Sequence, residues 1–292
     1  MIGHYIINKI MLARRMTYEE TEANDRKAGF NECFDDYYNK WEKTPFELDV
    51  EEAHIKGEYI TNPSDTGARK KVAVICHGLT ATKLATIKYG AIFYRLGFNL
   101  VIFDERYFGE STGKYCTLGM REAEDVKKIM AFARSIFGED CIMGLHGESM
   151  GGGTVLKLLD TEKPDFVVAD CPFADTGLLI DTVARERAWL LGIPATGIAR
   201  KVGIKRCGYD FRAVRPIESV ESTDVPILFM HGEADSLINC NHSVQMHKKC
   251  RNPLSEIHLF KGADHALSIA SDPEGYEKYM TAFINRCLEK VK

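Results

Sequence analysis

Between residues 72 and 170 the chain switches repeatedly between short apolar runs and longer stretches of helical spacing. Val72-Ala73-Val74-Ile75-Cys76, Phe98-Asn99-Leu100-Val101-Ile102-Phe103-Asp104, Cys141-Ile142-Met143-Gly144-Leu145 and Phe166-Val167-Val168-Ala169-Asp170 are strand-length and almost unbroken by polar residues. Such runs suit strands buried on both faces. Residues 84–96 form a predicted helix that stops at Gly97, and 120–137 repeat apolar residues at Val126, Ile129, Met130, Phe132 and Ala133 and read as an amphipathic helix. Strand, helix, strand, helix, strand in this order predicts a mostly parallel, doubly wound α/β sheet. The alternation stops over 176–215, where a small helical cap insertion is expected. It resumes with Val225–Met230, a helix near 243–250, a last strand at Glu256–Phe260 and a closing helix over 275–288.

The N-terminal side has a different pattern. Phe46–Val50 and His54–Ile60 alternate like half-exposed strands and predict an antiparallel start to the sheet. Residues 17–43 read as helix, with Phe30, Phe34, Tyr38 and Trp41 as the face laid on the domain. The expected organisation is a helical segment over 1–45 packed on an α/β domain over 46–292, with the cap at about 176–215. The first twelve residues contain an apolar run that Asn8 and Lys9 interrupt. It is too short to span a bilayer and lacks the plan of a secretory signal, so a helix packed on the domain is expected.

Composition narrows the function classes. At 292 residues, with 45% hydrophobic and 27% charged residues, the chain is ordinary for a globular protein. A net charge of −4 gives no reason to expect nucleic acid as a partner. Nine cysteines, without a Cys-x-x-Cys pair, fit reduced thiols and a cytoplasmic location rather than a disulfide framework.

The chemistry centres on Gly147-Glu148-Ser149-Met150-Gly151, which sits between a predicted strand and a predicted helix. Gly-x-Ser-x-Gly alone is a weak pattern. In this setting it describes a serine held on a sharp strand-to-helix turn, the nucleophile elbow. A serine hydroxyl needs a base to take its proton, and a histidine base needs a carboxylate to orient it. Downstream, one strand ends in His231-Gly232-Glu233-Ala234-Asp235 and the last ends in Gly262-Ala263-Asp264-His265. Asp235 is assigned as the acid, ahead of Glu233, and His265 as the base. Backbone N–H groups of Leu79, in the loop after the first parallel strand, and of Met150 would form the oxyanion hole. His77, His146 and His231 also end strands; hydrogen bonding to neighbouring loops is the preferred reading. No histidine–carboxylate spacing supports a metal site, and no cofactor is expected.

Taken together, His77-Gly78-Leu79-Thr80, Asp104-x-Arg106-x-x-Gly109-x-Ser111, Gly147-Glu148-Ser149-Met150-Gly151, His231-Gly232-x-x-Asp235 and Gly262-x-x-His265 resemble the ordered motif set of α/β-hydrolases. The likeness is nearest to serine-aminopeptidase-like and prolyl-oligopeptidase-like esterases of Gram-positive bacteria, and covers about residue 46 to the C-terminus. It implies an α/β-hydrolase fold and an acyl-enzyme hydrolase using Ser149, Asp235 and His265. It also implies that Asp104 and Arg106 brace loops beneath the oxyanion hole. Tyr107 departs from the pattern, where a small residue is frequent, and is expected to narrow the acyl pocket. Trp189, Leu190 and Leu191 either line that pocket or belong to the core.

The expected activity is cleavage of a carboxylic ester, with amide, peptide or thioester hydrolysis as the alternative. A catalytically idle binding protein on the same scaffold is the rival from another class. Fold does not fix substrate. The cap holds eight basic residues against three acidic ones (Asp181, Glu186, Asp210), +5 in a chain of −4. A solvated helical surface is the plainer reading; an acyl substrate with an anionic group, steered by that field, is the sharper one.

Overall fold

The computed structural model describes residues 2–181, 195–208 and 210–291. Among them eight strands form one sheet: β1 (Glu42–Val50), β2 (Ala53–Thr61), β3 (Lys71–Cys76), β4 (Asn99–Phe103), β5 (Ile142–Glu148), β6 (Phe166–Asp170), β7 (Ile227–Gly232) and β8 (Glu256–Phe260). Their spatial order is β1-β2-β4-β3-β5-β6-β7-β8. The β1–β2 and β2–β4 pairs are antiparallel and all later pairs parallel. This is the α/β-hydrolase architecture with its mixed start. β1 lies at the sheet edge, which is why it accommodates Pro45.

The helices are α1 (Ile2–Met11), α2 (Tyr18–Lys27), α3 (Asn31–Asn39), α4 (Ile87–Arg95), α5 (Met120–Phe137), α6 (Met150–Lys157), α7 (Ala195–Cys207), α8 (Pro216–Ser222), α9 (Asn241–His247), α10 (Ser268–Ser271) and α11 (Pro273–Val291). Strand alternation sorts the sheet into two apolar layers. Ala73 and Ile75 of β3 pack with α3, α4 and α11 through Phe34, Phe93 and Phe283. Val72, Val74 and Cys76 face the other way, onto α5 and α6 through Val126, Met130 and Leu156. Both faces of the parallel strands are therefore covered, which accounts for their unbroken apolar sequence.

Two sequence expectations need adjustment. The helix expected over 17–43 is two helices, because Gly29 adopts φ +104° and turns the chain between α2 and α3. The face that α3 buries is carried by Phe34 and Tyr37, with Trp41 just beyond the helix, while Tyr38 is half exposed. A third apolar cluster, at the C-terminal edge of the sheet, joins Ile7 and Met11 of α1 to Phe108, Met150, Ala199 and Phe211. Helix α1 thus lies across the end of the domain where the site is built. Among the described residues no helix is long and apolar enough to cross a membrane.

Candidate active site

Ser149 occupies the step from β5 to α6, with φ 54° and ψ −109°. That conformation is costly for a side-chain-bearing residue and persists only where the surroundings impose it. They do so by close approach. A Cβ on Gly147 would lie 2.2 Å from the Gly151 carbonyl oxygen, and one on Gly151 would lie 2.5 Å from that of Cys76. Both obstacles are backbone, so neither can give way. The Ser149 N–H donates to the Asp170 carbonyl at 2.8 Å, fixing the turn to β6. Met150 opens α6, so its N–H is among those without an intrahelical acceptor. Gly78 and Leu79, after β3, line the same cavity.

The three predicted side chains come from the ends of three strands and meet. Ser149 Oγ lies 2.8 Å from His265 Nε2, and His265 Nδ1 lies 2.7 Å from Asp235 Oδ2. A carboxylate only accepts, so the proton sits on Nδ1 and Nε2 is left to accept from the serine hydroxyl. Asp235 is buried, and its other oxygen accepts the N–H groups of Leu237 at 2.9 Å and Ile238 at 2.7 Å. Burial opposes the Asp235 charge. Hydrogen bonds from His231, His265 and the Ile238 N–H outweigh it and hold the carboxyl well below the usual carboxylate range. Burial likewise opposes a charged His265; the hydrogen bond and charge of Asp235 win and raise its pKa above the ordinary value. Glu233 and Asp264 are exposed, and Asp264 accepts from Ser236 and the His265 N–H, a loop-capping role.

The strand-end histidines differ from one another. His77 ties two loops together: its Nδ1 lies 2.8 Å from the Gly78 carbonyl, and its Nε2 accepts the Glu105 N–H at 2.9 Å. His146 is buried between aromatic rings, and burial lowers its pKa to about 3. His231 belongs to the site. Its Nε2 lies 3.1 Å from Asp235 Oδ2 and 2.8 Å from the Ile238 carbonyl, both acceptors, so it donates; its Nδ1 accepts from Ser243 Oγ at 2.7 Å. Sequence reasoning passed over this second brace on the acid. His231→Leu is expected to lower kcat/KM about tenfold, the usual weight of a hydrogen bond to a charged group, while leaving the serine reactive. Steady-state kinetics on the folded variant check this; an unchanged rate would make His231 a packing residue only.

Cys171 Sγ, Asp235 and His265 place donor atoms within 4.8 Å of one another. Burial pushes the Cys171 thiol well up, keeping it protonated, and both nitrogens of His265 are engaged. This donor set does not suit a metal ion.

Beneath the elbow lies a buried charge network. Lys88 Nζ of α4 is 3.1 Å from Glu148 Oε2 and 3.1 Å from Asp25 Oδ1 of α2. The Tyr89 hydroxyl is 2.7 Å from Glu148 and 3.0 Å from Asp170. Burial alone would raise the Glu148 pKa, but Lys88 and Tyr89 lower it, so the residue before the nucleophile is held as an anion. Asp104 accepts from the Lys83 N–H at 2.7 Å, the Glu110 N–H at 3.1 Å and the Tyr18 hydroxyl. Arg106 grips Asp125 with two bonds of 2.6 and 2.7 Å. Both are loop braces by their contacts.

The cavity over Ser149 has a volume of about 380 Å³ and mostly apolar walls, among them Leu79, Leu118, Phe173, Ile180 and Ile238. Tyr107 is not among its lining residues. Its hydroxyl instead donates to the Ala13 carbonyl at 3.2 Å, anchoring the N-terminal segment. Trp189, Leu190 and Leu191 lie outside the described residues, as do Arg185 and Arg187. Of the remaining cap cations, Arg200 pairs with Asp210 and Arg212 with Asp181, both already within the +5, while Arg215 pairs with Asp175 and Glu218 just outside the cap, which lowers the local excess of positive charge. Lys9 of α1 is the ammonium group lining the cavity among the described residues.

Comparison with known proteins agrees with this architecture. Residues 108–291 match the prolyl oligopeptidase family. The uncharacterized protein YqkD of Bacillus subtilis is 30% identical, covering 97% of this chain and 92% of its own. Among solved structures, the esterase Pf2001 of Pyrococcus furiosus superposes with a TM-score of 0.68 at 23% identity, covering 86% of this chain and 95% of that one. XC6422 of Xanthomonas campestris, an α/β serine hydrolase without a lid, gives 0.59 at 16% identity, covering 84% and 94%. The chain belongs to the prolyl oligopeptidase family, on an α/β-hydrolase fold.

Proposed function

We propose that this protein is a serine esterase that cleaves a small carboxylic ester through an acyl-enzyme. The observation that carries the reading is the continuous hydrogen-bonded chain Ser149–His265–Asp235 opening into an apolar cavity. Ser149 Oγ attacks the acyl carbon as its proton passes to His265 Nε2. The Leu79 and Met150 N–H groups take the developing oxyanion, aided by the positive end of α6. The imidazolium then gives its proton to the departing alkoxide oxygen. Water, deprotonated by the same nitrogen, releases the acid and restores Ser149. The intact chain favours this over an idle binding protein. A cavity of about 380 Å³ is within the range of small-molecule sites and favours a small acyl group over a peptide. A fluorophosphonate probe, followed by nitrophenyl esters and matched anilides, tests the reading. Labelling of wild type but not of Ser149→Ala, with esters turned over faster than anilides, is expected. An unlabelled, well-folded wild type would sink it.

The raised pKa of His265 gives a pH dependence with a definite sign. The base works only when neutral, so kcat/KM falls on acidification through that pKa, with a midpoint above the ordinary histidine value near ~6.5. Asp235→Asn removes the groups that raise it; the midpoint should move down and the rate fall about 10⁴-fold. A pH–rate profile with an unmoved midpoint would assign the titration to another group.

Lys9 favours an acyl group with a negative charge remote from the ester. A nitrophenyl hemisuccinate is expected to lose several-fold in kcat/KM in Lys9→Met and with rising salt, while the neutral butyrate changes little. Equal responses of the two esters would remove the anionic preference.

A further inference from the structure

Helices α1 and α7 pack against each other, and α1 contributes Lys9 to the wall of the catalytic cavity. Ile7 and Met11 are buried on one side and Ala199 on the other, and a Cβ at Gly203 would sit 3.4 Å from Ile7. Their outer faces have a shared composition. On α1, Tyr5, Lys9 and Leu12 follow one another at i, i+4 and i+7, and all three are exposed. On α7, Ile198, Lys201, Ile204 and Lys205 recur at i, i+3, i+6 and i+7 and are exposed as well. Large apolar side chains therefore alternate with ammonium groups along both.

The wider distribution follows the same axis. The exposed large hydrophobic side chains among the described residues are ten: Tyr5, Leu12, Leu178, Leu237 and Leu267 stand on segments that line or adjoin the cavity, Ile198 and Ile204 on α7, which packs on α1, and Tyr38, Ile136 and Leu259 lie elsewhere. Residues 2–16 carry three basic side chains and no acidic one, although the whole chain is at −4. Solitary exposed apolar residues need no explanation, but their concentration on α1, α7 and the segments beside the cavity, with exposed Lys9, Lys201 and Lys205 on the same two helices, does.

We infer that this face docks on an anionic lipid surface, with α1 and α7 lying in the interfacial plane and the cavity mouth turned toward the bilayer. The apolar residues would enter the headgroup boundary, and Lys201 and Lys205 would meet the lipid phosphates. Charge complementarity decides the occupant: a second copy would bring like charge against like.

Co-sedimentation of the Ser149→Ala protein with vesicles separates docking from whichever ester is cleaved. Vesicles of phosphatidylglycerol and phosphatidylcholine are expected to bind it, and pure phosphatidylcholine to bind it at least about tenfold more weakly. Raising the salt to ~0.5 M should release it. Lys201→Glu with Lys205→Glu, and separately Tyr5→Ser with Ile204→Ser, should each weaken binding about tenfold or more. Tyr38→Ser with Leu259→Ser should not. Circular dichroism and turnover of a water-soluble ester by the same substitutions in active protein confirm that they fold. Absence of binding to anionic vesicles, salt-insensitive binding, or equal loss in the Tyr38/Leu259 control would overturn the inference. So would a dimer in sedimentation velocity that Ile204→Ser dissociates, which would assign the face to a second copy.

Discussion

Ser149→Ala is expected to lower kcat for a nitrophenyl ester by about 10⁴- to 10⁶-fold with little change in KM. The size follows from the geometry. Oγ is the atom that bonds to the acyl carbon, and without it His265 has no proton to receive. What survives is the oxyanion hole and the cavity, which can still assist water. The substitution keeps the cost of the turn, because alanine at φ 54° is as strained as serine. Ser149→Gly should lose as much activity yet be about 1 kcal/mol more stable than Ser149→Ala, since glycine adopts that backbone freely. Chemical denaturation of the two variants side by side reads the difference. Equal stabilities would mean the elbow stores no strain.

Lys88→Met should cost about 3–5 kcal/mol, the penalty for leaving a buried charge without its partner. Lys88 has a side chain only 7% exposed and stands between the carboxylates of Asp25 and Glu148. Removing it leaves both anions in a site where burial already favours the protonated form. The sign with pH is diagnostic. In wild type Glu148 has a depressed pKa, so its contribution is present above the unfolded value near ~4.3 and is lost as pH falls through the folded one. In the variant both carboxyls should titrate above their unfolded values. The deficit then grows as pH rises from about 4 and shrinks on acidification. Urea melts at pH 7.5 and 5 should show the gap to wild type narrowing; a constant gap would point to lost packing. Activity should fall too, because a displaced Glu148 drags on its neighbour Ser149.

Much of this could be read from the chain itself. β3, β4 and β6 were legible because both of their faces are covered, leaving no polar alternation to confuse with a helix. Ser149, Asp235 and His265 were legible because each ends a strand in a short glycine-containing motif. His231 was not, since its His-Gly setting matches that of His77. Only the path of the following loop, which brings Asp235 back beneath the strand end, tells them apart. The four-residue spacing from His231 to Asp235 was the available hint. Lys88 also left a trace, as a cation among Ile87, Tyr89 and Ile92 on a helix otherwise apolar at that point. Its partner Asp25 is 63 residues away, a distance that no local pattern spans. Tyr107 was misjudged because family likeness concerned its neighbours, whereas its actual partner, Ala13, lies in a segment outside that likeness.

The position of α1 also has a consequence for the order of events during synthesis. Ile7 and Met11 find their cover in Phe108, Ala199 and Phe211, the latter two about 190 residues further along. At ribosomal rates that interval lasts roughly 10–40 s. For about the first half of it the apolar side of the helix has nothing to settle on, and until Ala199 and Phe211 appear only the part of the cluster around Phe108 and Met150 is there to receive it. Lys9, Arg14 and Arg15 keep this stretch cationic, and self-repulsion among nascent copies opposes their association until the cap arrives. Helix α1 is thus fastened only after a cap segment some 190 residues later has been made, and the part of the cavity wall that Lys9 supplies is completed late.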